Sequence, residues 1–276
     1  MTINCKGNLI DLSTPKIMGI LNLTPDSFYD GGKFTDEKAI LNQTERMLNE
    51  GATFIDVGAY SSRPGADHVS EGEELKRILP MVEMLYHEFP EILLSIDTFR
   101  SKIASNCLDS GAALINDISA GRLDENMLPT IAKFKVPYIM MHMQGTPQDM
   151  QQKTDYDDFL VDIIKYFSER IAEARALGVV DLIIDPGFGF AKTMAQNYEL
   201  LSKLELFKNL GRPVLAGLSR KSMIYKTLQT DAENALNGTT ALNMVALLNG
   251  ANILRVHDVK EALECVKLSK SVVGSR

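Results

Sequence analysis

Short apolar runs recur along the chain at 17–21, 53–57, 92–96, 112–115, 136–141, 182–184, 213–216 and 252–256. Most are continuous rather than alternating, the pattern of strands buried on both faces of a parallel sheet. Between them lie segments of helical period, roughly 36–50, 71–88, 100–109, 124–134, 157–177, 196–209, 233–249 and 259–272. Several have legible ends. Thr35 can cap the first, with Asp36 and Glu37 in its opening turn, and Ser70-Glu71-Gly72-Glu73 has the capping-box form. Gly51, Gly111, Gly178 and Gly250 stand where helices stop. Ahead of the first run, residues 4–15 predict a hairpin turning at Gly7-Asn8 and ended by Pro15. Eight strand–helix repeats predict an α/β fold, a (β/α)8 TIM barrel of the usual ~250-residue size with a short N-terminal β-hairpin. We read residues 1–276 as one domain. A doubly wound open sheet is the alternative, weakened because no GxGxxG follows the first run.

The apolar runs end in polar residues: Asn22, Asp56, Asp97, Asn116, His142, Asp185, the Ser219-Arg220-Lys221 triplet, and Arg255 with His257. A barrel gathers all eight strand ends on one rim, the rim that carries active sites in this fold. Asp185 opens the densest stretch, Asp185-Pro186-Gly187-Phe188-Gly189-Phe190-Ala191-Lys192. There a carboxylate at a strand end is followed by turn formers and an aromatic able to shield a bound ring. Taken alone, Asp185 reads equally well as a buried carboxylate satisfied by loop amides. Two more loops have the composition of binding segments. Residues 22–32 are polar, aromatic and glycine-ended, and residues 58–65 place hydroxyls beside Arg63.

Composition narrows the classes. The chain is 45% hydrophobic and 24% charged, with a net charge of −7, which argues against a general nucleic-acid binder. No apolar run reaches the ~18 residues of a membrane span, and the first residues lack a secretory leader. Cys5, Cys107 and Cys265 lie far apart without a CxxC, offering neither a zinc site nor a disulfide framework. A reduced, cytoplasmic protein is expected, with Cys107 as packing. His87 reads as a solvated helix residue, and neither His68 nor the rim-placed His142 has an evident partner.

Seven motifs bring a family into view: Asn22-Leu23-Thr24-Pro25-Asp26-Ser27-Phe28, Ser61-Ser62-Arg63-Pro64-Gly65, Ser95-Ile96-Asp97-Thr98, Asn116-Asp117-Ile118-Ser119, Asp185 to Phe190, Gly217-Leu218-Ser219-Arg220-Lys221-Ser222 and Arg255-Val256-His257-Asp258. Together they resemble bacterial dihydropteroate synthase, of the pterin-binding TIM-barrel family. The resemblance runs through nearly the whole chain, in order, with a motif after almost every strand. It implies a transferase of folate biosynthesis and sulfonamide target. That enzyme condenses 6-hydroxymethyl-7,8-dihydropterin diphosphate with 4-aminobenzoate, with Mg²⁺ as cofactor and usually as a homodimer.

Site roles follow from the matched positions. Asp97, Asn116, Asp185, Gly217 and Lys221 would hold the pterin, with Met140 and Phe190 over its faces. A carboxylate and an amide suit the donor-rich edge of an amino-pyrimidinone ring. Asn22, Ser62, Arg63, Arg255 and His257 would meet the diphosphate, and Asn22 and Asp30 the Mg²⁺. Phe28, Ser62, Pro64, Phe190, Lys221 and Ser222 would form the aminobenzoate pocket. Asp97, Lys221 and Arg255 would carry the chemistry, in which Ser219 and Ser222, lacking an evident His–acid pair, serve no covalent step. The chain departs from the resemblance at Gly58-Ala59-Tyr60-Ser61-Ser62, where Gly-Gly-Glu-Ser-Thr is commoner, and at Ala191, where Gly is common. A pterin-binding methyltransferase and a non-catalytic pterin binder are the rival readings.

Overall fold

The computed structural model describes residues 1–23, 33–60 and 69–273. The chain opens with a two-stranded antiparallel sheet, β1 (Thr2–Cys5) and β2 (Asn8–Asp11), paired from Thr2↔Asp11 to Cys5↔Asn8. The turn is Lys6-Gly7, one residue earlier than the sequence reading. Both residues have positive φ, 54° and 85°, the requirement of a two-residue hairpin turn of the primed type.

The eight apolar runs form eight parallel strands: β3 (Lys16–Asn22), β4 (Phe54–Gly58), β5 (Leu94–Asp97), β6 (Leu114–Asp117), β7 (Tyr138–Met141), β8 (Leu182–Asp185), β9 (Leu215–Ala216) and β10 (Ile253–Val256). Their order is β8-β7-β6-β5-β4-β3-β10-β9, and a parallel bridge between Ile184 and Val214 closes the ring. Helices α1 (Lys33–Asn49), α2 (Glu71–Glu88), α3 (Ser101–Asp109), α4 (Met127–Phe134), α5 (Phe159–Ala176), α6 (Met194–Ser202), α7 (Ser222–Thr227), α8 (Leu236–Leu248) and α9 (Val259–Val273) alternate with them. This is the (β/α)8 barrel read from the pattern. No helix among the described residues is long and apolar enough to cross a membrane.

Two helical segments differ from expectation. The stretch anticipated as one helix at 196–209 starts earlier, because Thr193 and Gln196 form a capping box. It gives way after Ser202 to a 3₁₀ segment, Leu204–Leu210. A short extra helix, α7, precedes α8.

The interior is layered by strand parity. Met18, Phe54, Leu114, Ile139, Ile183, Leu215 and Ile253 fill the lower barrel and contact Ile3, Cys5 and Leu12 of the hairpin segment, which seals that end. Side chains of the opposite parity, among them Ile55, Ile115, Tyr138, Met140 and Ile184, join the larger core shared with the helices. Two residues beyond the plug, the inward side chains become Asp56, Asn116, Met141, Asp185 and Arg255. Polarity therefore changes abruptly along the barrel axis.

Candidate active site

One cavity at the C-terminal rim is lined by Asp97, Asn116, Asp185 and Lys221, with Arg255 and Gly217 beside them. Its apolar walls are Ile118, Met141 and Phe190. Residues from five strand ends and the loops that follow β6, β8 and β9 thus converge on one small, polar-edged space. A side chain at Gly217 would stand 3.9 Å from Lys221 Nζ and 4.0 Å from Asp185 Oδ2, filling that space.

The charges are arranged before any ligand arrives. Arg255 donates from Nε to Asp56 Oδ2 at 2.6 Å and from Nη2 to Asp97 Oδ2 at 2.7 Å. Asn116 Nδ2 donates to the same Asp56 oxygen at 3.1 Å. Burial raises the pKa of Asp97, opposed by Arg255 and reinforced by Asp56. For Arg255 burial works against the charge, yet Asp56 and Asp97 overcome it and hold the guanidinium protonated. Asp185 is 6% exposed and its pKa is raised by burial, with Lys221 and the Gly187 N–H opposing. The Gly187 N–H donates to Asp185 Oδ1 at 2.8 Å. Lys221 donates to the Phe188 carbonyl, and its Nζ lies 4.9 Å from the centroid of the Phe190 ring. Burial lowers its pKa to about 8, with Asp185 opposing.

The structure corrects three sequence expectations. Met140 is fully buried on the helix side of β7 and does not line the cavity; Met141, of opposite parity and in register with Asp185, does. His142 is not without a partner, since its Nδ1 lies 3.0 Å from Lys192 Nζ and its ring meets Tyr166 edge-on. Ser219 has a histidine partner, its Oγ 2.9 Å from Nδ1 of His257. Arg255 is already held by the Asp56 and Asp97 carboxylates. His257 and Ser222 lie outside the cavity lining, Ser222 exposed at the start of α7 and His257 bonded to Ser219. Asn22 is exposed at the end of β3. Phe28, Asp30, Ser62, Arg63 and Pro64 lie outside the described residues.

Asp56 is the residue that sequence reasoning saw at the rim and left out of the site. It is fully buried, it anchors both Arg255 and Asn116, and its second oxygen has no partner among the described residues. The signal was available: Asp56 follows the interior Phe54 by two residues, as Asn116 follows Leu114.

The family profile described as "Pterin binding enzyme" matches residues 18–257. The chain belongs to the pterin-binding enzyme family. Among its pterin-binding relatives, dihydropteroate synthase of Escherichia coli K12 is 40% identical over 278 residues, covering all of this chain and 98% of that protein. The Haemophilus influenzae dihydropteroate synthase is 43% identical, with full coverage of both. The Yersinia pestis dihydropteroate synthase in its sulfonamide drug complex superposes with a TM-score of 0.92 at 41% identity, covering all of both chains. That of Xanthomonas albilineans with 4-aminobenzoic acid gives 0.91 at 38% identity, covering 99% of this chain and 98% of the other.

Proposed function

We propose that this chain is a dihydropteroate synthase, joining 4-aminobenzoate to 6-hydroxymethyl-7,8-dihydropterin diphosphate to release 7,8-dihydropteroate and pyrophosphate. One observation carries the reading: Asp97, Asn116, Asp185, Lys221 and Arg255 share a single cavity. Asp185 and Asn116 offer acceptors and a donor to the amino-pyrimidinone edge, Asp97 takes a further ring N–H, and Lys221 donates from across the cavity. Met141 and Phe190 cover the ring's faces.

The reaction is a displacement at the pterin methylene. Heterolysis of the C–O bond sends its electron pair to the departing diphosphate, and the electron-rich ring delocalises the positive charge left behind. We read the transition state as dissociative. Asp97 and Asp185 then face the developing cation, while Arg255 and His257, with Ser62 and Arg63, meet the leaving group. The aromatic amine is already a nucleophile near neutral pH. Its nitrogen forms the new C–N bond and sheds its proton afterwards, so orientation does most of what a base would do elsewhere. Correct placement of reactants is worth ~7–11 kcal/mol. Phe28, Ser62, Pro64, Phe190, Lys221 and Ser222 would hold the aminobenzoate.

Asn22, with Asp30, would hold Mg²⁺. An exposed amide oxygen at a strand end suits a hard cation that takes its remaining ligands from water and phosphate. No cluster of three or more acidic, His or Cys ligands occurs among the described residues. When bound, the ion would offset charge on the leaving diphosphate.

A homodimer is part of the proposal. Val245 and Leu248 on α8 lie three residues apart, Leu268 and Val272 on α9 four, and all four are exposed. Buried, unpaired Cys5, Cys107 and Cys265 suit a reducing compartment such as the cytoplasm.

Turnover of pterin diphosphate with 4-aminobenzoate, measured with and without Mg²⁺, tests the activity. Dihydropteroate should form only with both substrates. Pterin binding without turnover would favour a non-catalytic binder, and methyl transfer from a methylated pterin would favour the methyltransferase.

A further inference from the structure

Behind the heterocycle pocket stand two buried bases to which no role has yet fallen. Lys192 is 4% exposed and His142 3%. Lys192 Nζ lies 3.0 Å from His142 Nδ1 and donates to the carbonyls of Gly187 and Phe190, each at 3.0 Å. Among the described residues it forms no salt bridge. Burying an ammonium is costly, and only full hydrogen bonding offsets it. Three N–H groups meet three acceptors here, and the choice of acceptors is informative. Gly187 is the residue whose amide holds Asp185 Oδ1, and Phe190 carries the ring that walls the cavity.

The same spot admits no slack. Gly187 has φ +74°, and a Cβ there would stand 2.1 Å from the His142 carbonyl oxygen. The His142 N–H in turn donates to the Asp185 carbonyl at 2.9 Å. His142 therefore touches this loop twice, through its backbone at Asp185 and Gly187 and through its ring at Lys192.

We propose that Lys192, backed by His142, is a positioning residue for the pterin pocket: it gathers the Gly187 and Phe190 carbonyls onto one nitrogen and so sets the Asp185 carboxylate against the Phe190 ring. The inference rests on the pterin-diphosphate reading above and adds a residue to it. Pairing with an imidazole rather than a carboxylate has a chemical consequence. As an ammonium, Lys192 donates to all three partners and His142 accepts at Nδ1. As a free amine it still donates to both carbonyls and accepts from Nδ1–H of the other tautomer. The loop stays tied in both states.

That matters because burial lowers the Lys192 pKa to about 7, with Asp185 opposing and Lys221 adding to the shift. Burial, then Lys192 and Arg122, keep His142 neutral. Tyr156 and Tyr166 meet the His142 ring, and burial raises both phenols above their ordinary range. Arg122, Lys153, Asp162, Lys165 and Glu169 share the cavity that His142 lines, and Asp185 and Lys221 act on Lys192.

The test uses Lys192→Met, His142→Leu and His142→Asn, whose amide oxygen can replace Nδ1 as acceptor. Pterin-diphosphate affinity is read by calorimetry, KM for each substrate and kcat by steady-state assay, and folding by thermal midpoint. Lys192→Met should weaken pterin affinity roughly tenfold to a hundredfold, the range for losing charge-assisted hydrogen bonds. Its aminobenzoate KM should rise less than its pterin KM, because Phe190 is the one residue of that pocket whose carbonyl Lys192 holds. His142→Leu should follow in the same direction, and His142→Asn should restore most of the loss. A folded Lys192→Met enzyme with wild-type pterin affinity overturns the proposal, as does an equal rise in both KM values or a failure of Asn to rescue. Should Lys192→Met not fold, the two His142 variants decide alone. A wild-type protein that neither binds nor turns over pterin diphosphate would defeat the proposed function instead.

Discussion

Asp185 is held before it is used: one oxygen takes the Gly187 N–H, and the other faces the cavity shared with Lys221. Removing it should abolish measurable pterin binding, whereas Arg63→Ala should spare pterin affinity and lower turnover. Calorimetry on both variants checks this, and equal losses of affinity would refute the division of labour. Ala191, where the resembled family commonly has Gly, sits at φ +50°. A left-handed alanine costs ~1–2 kcal/mol, part of which glycine gives back through its freer unfolded chain. Ala191→Gly should therefore raise the thermal midpoint by about 1–3 °C. This strain is invisible in the sequence, which shows only an alanine where Gly is common. Met140 was misread for a related reason. Two adjacent methionines are equally apolar, and only parity with Ile139 and register with Asp185 separate the one facing helices from the one facing the cavity.

Elements were legible where their ends carry chemistry. Ser70 caps α2 by accepting from the Glu73 N–H, and β3 to β10 fall on the apolar runs. The six-residue α7 spans too little chain to show a period, and the 3₁₀ segment after α6 mimics a helical one. Tertiary ties between elements were not legible. Glu74 on α2 is fully buried, accepts from Thr98 Oγ1 at 2.8 Å, and pairs with Arg100, whose Nη2 reaches the Val69 carbonyl at 2.8 Å. This clasp fastens α2 to the loop that follows Asp97. Deleting one partner strands the other charge, so Glu74→Ala should cost ~3–5 kcal/mol by denaturant titration. Glu74→Gln, still able to accept from Thr98, should cost less. If the two variants match, the bond from Thr98 carries no weight and the lost ion pair with Arg100 accounts for the whole cost.

At the level of the whole molecule, a sealed lower half and a charged upper half make the barrel a device for titration. Pterin affinity should pass through a maximum with pH. The acid limb comes from the buried carboxylates, which must ionise to accept ring N–H groups, and the alkaline limb from Lys221 deprotonating near pH 8. Lys221→Met should lower affinity and erase the alkaline limb. Ligand-free stability should follow the opposite logic. The stabilisation tied to the raised Asp97 pKa is present below the unfolded value of ~4 and is lost as pH rises through the folded one. For Lys221, with its lowered pKa, stabilisation is present above the unfolded ~10.4 and is lost as pH falls through about 8. Thermal midpoints across pH 4–10 read both.

Arg255 clasped between Asp56 and Asp97 has one more implication. A pocket furnished with its own counter-ions recruits none from the buffer, so an incoming pterin displaces water rather than salt. Its grip on the ring should scarcely change between dilute and concentrated electrolyte, unlike sites whose cations stand bare until an anion comes.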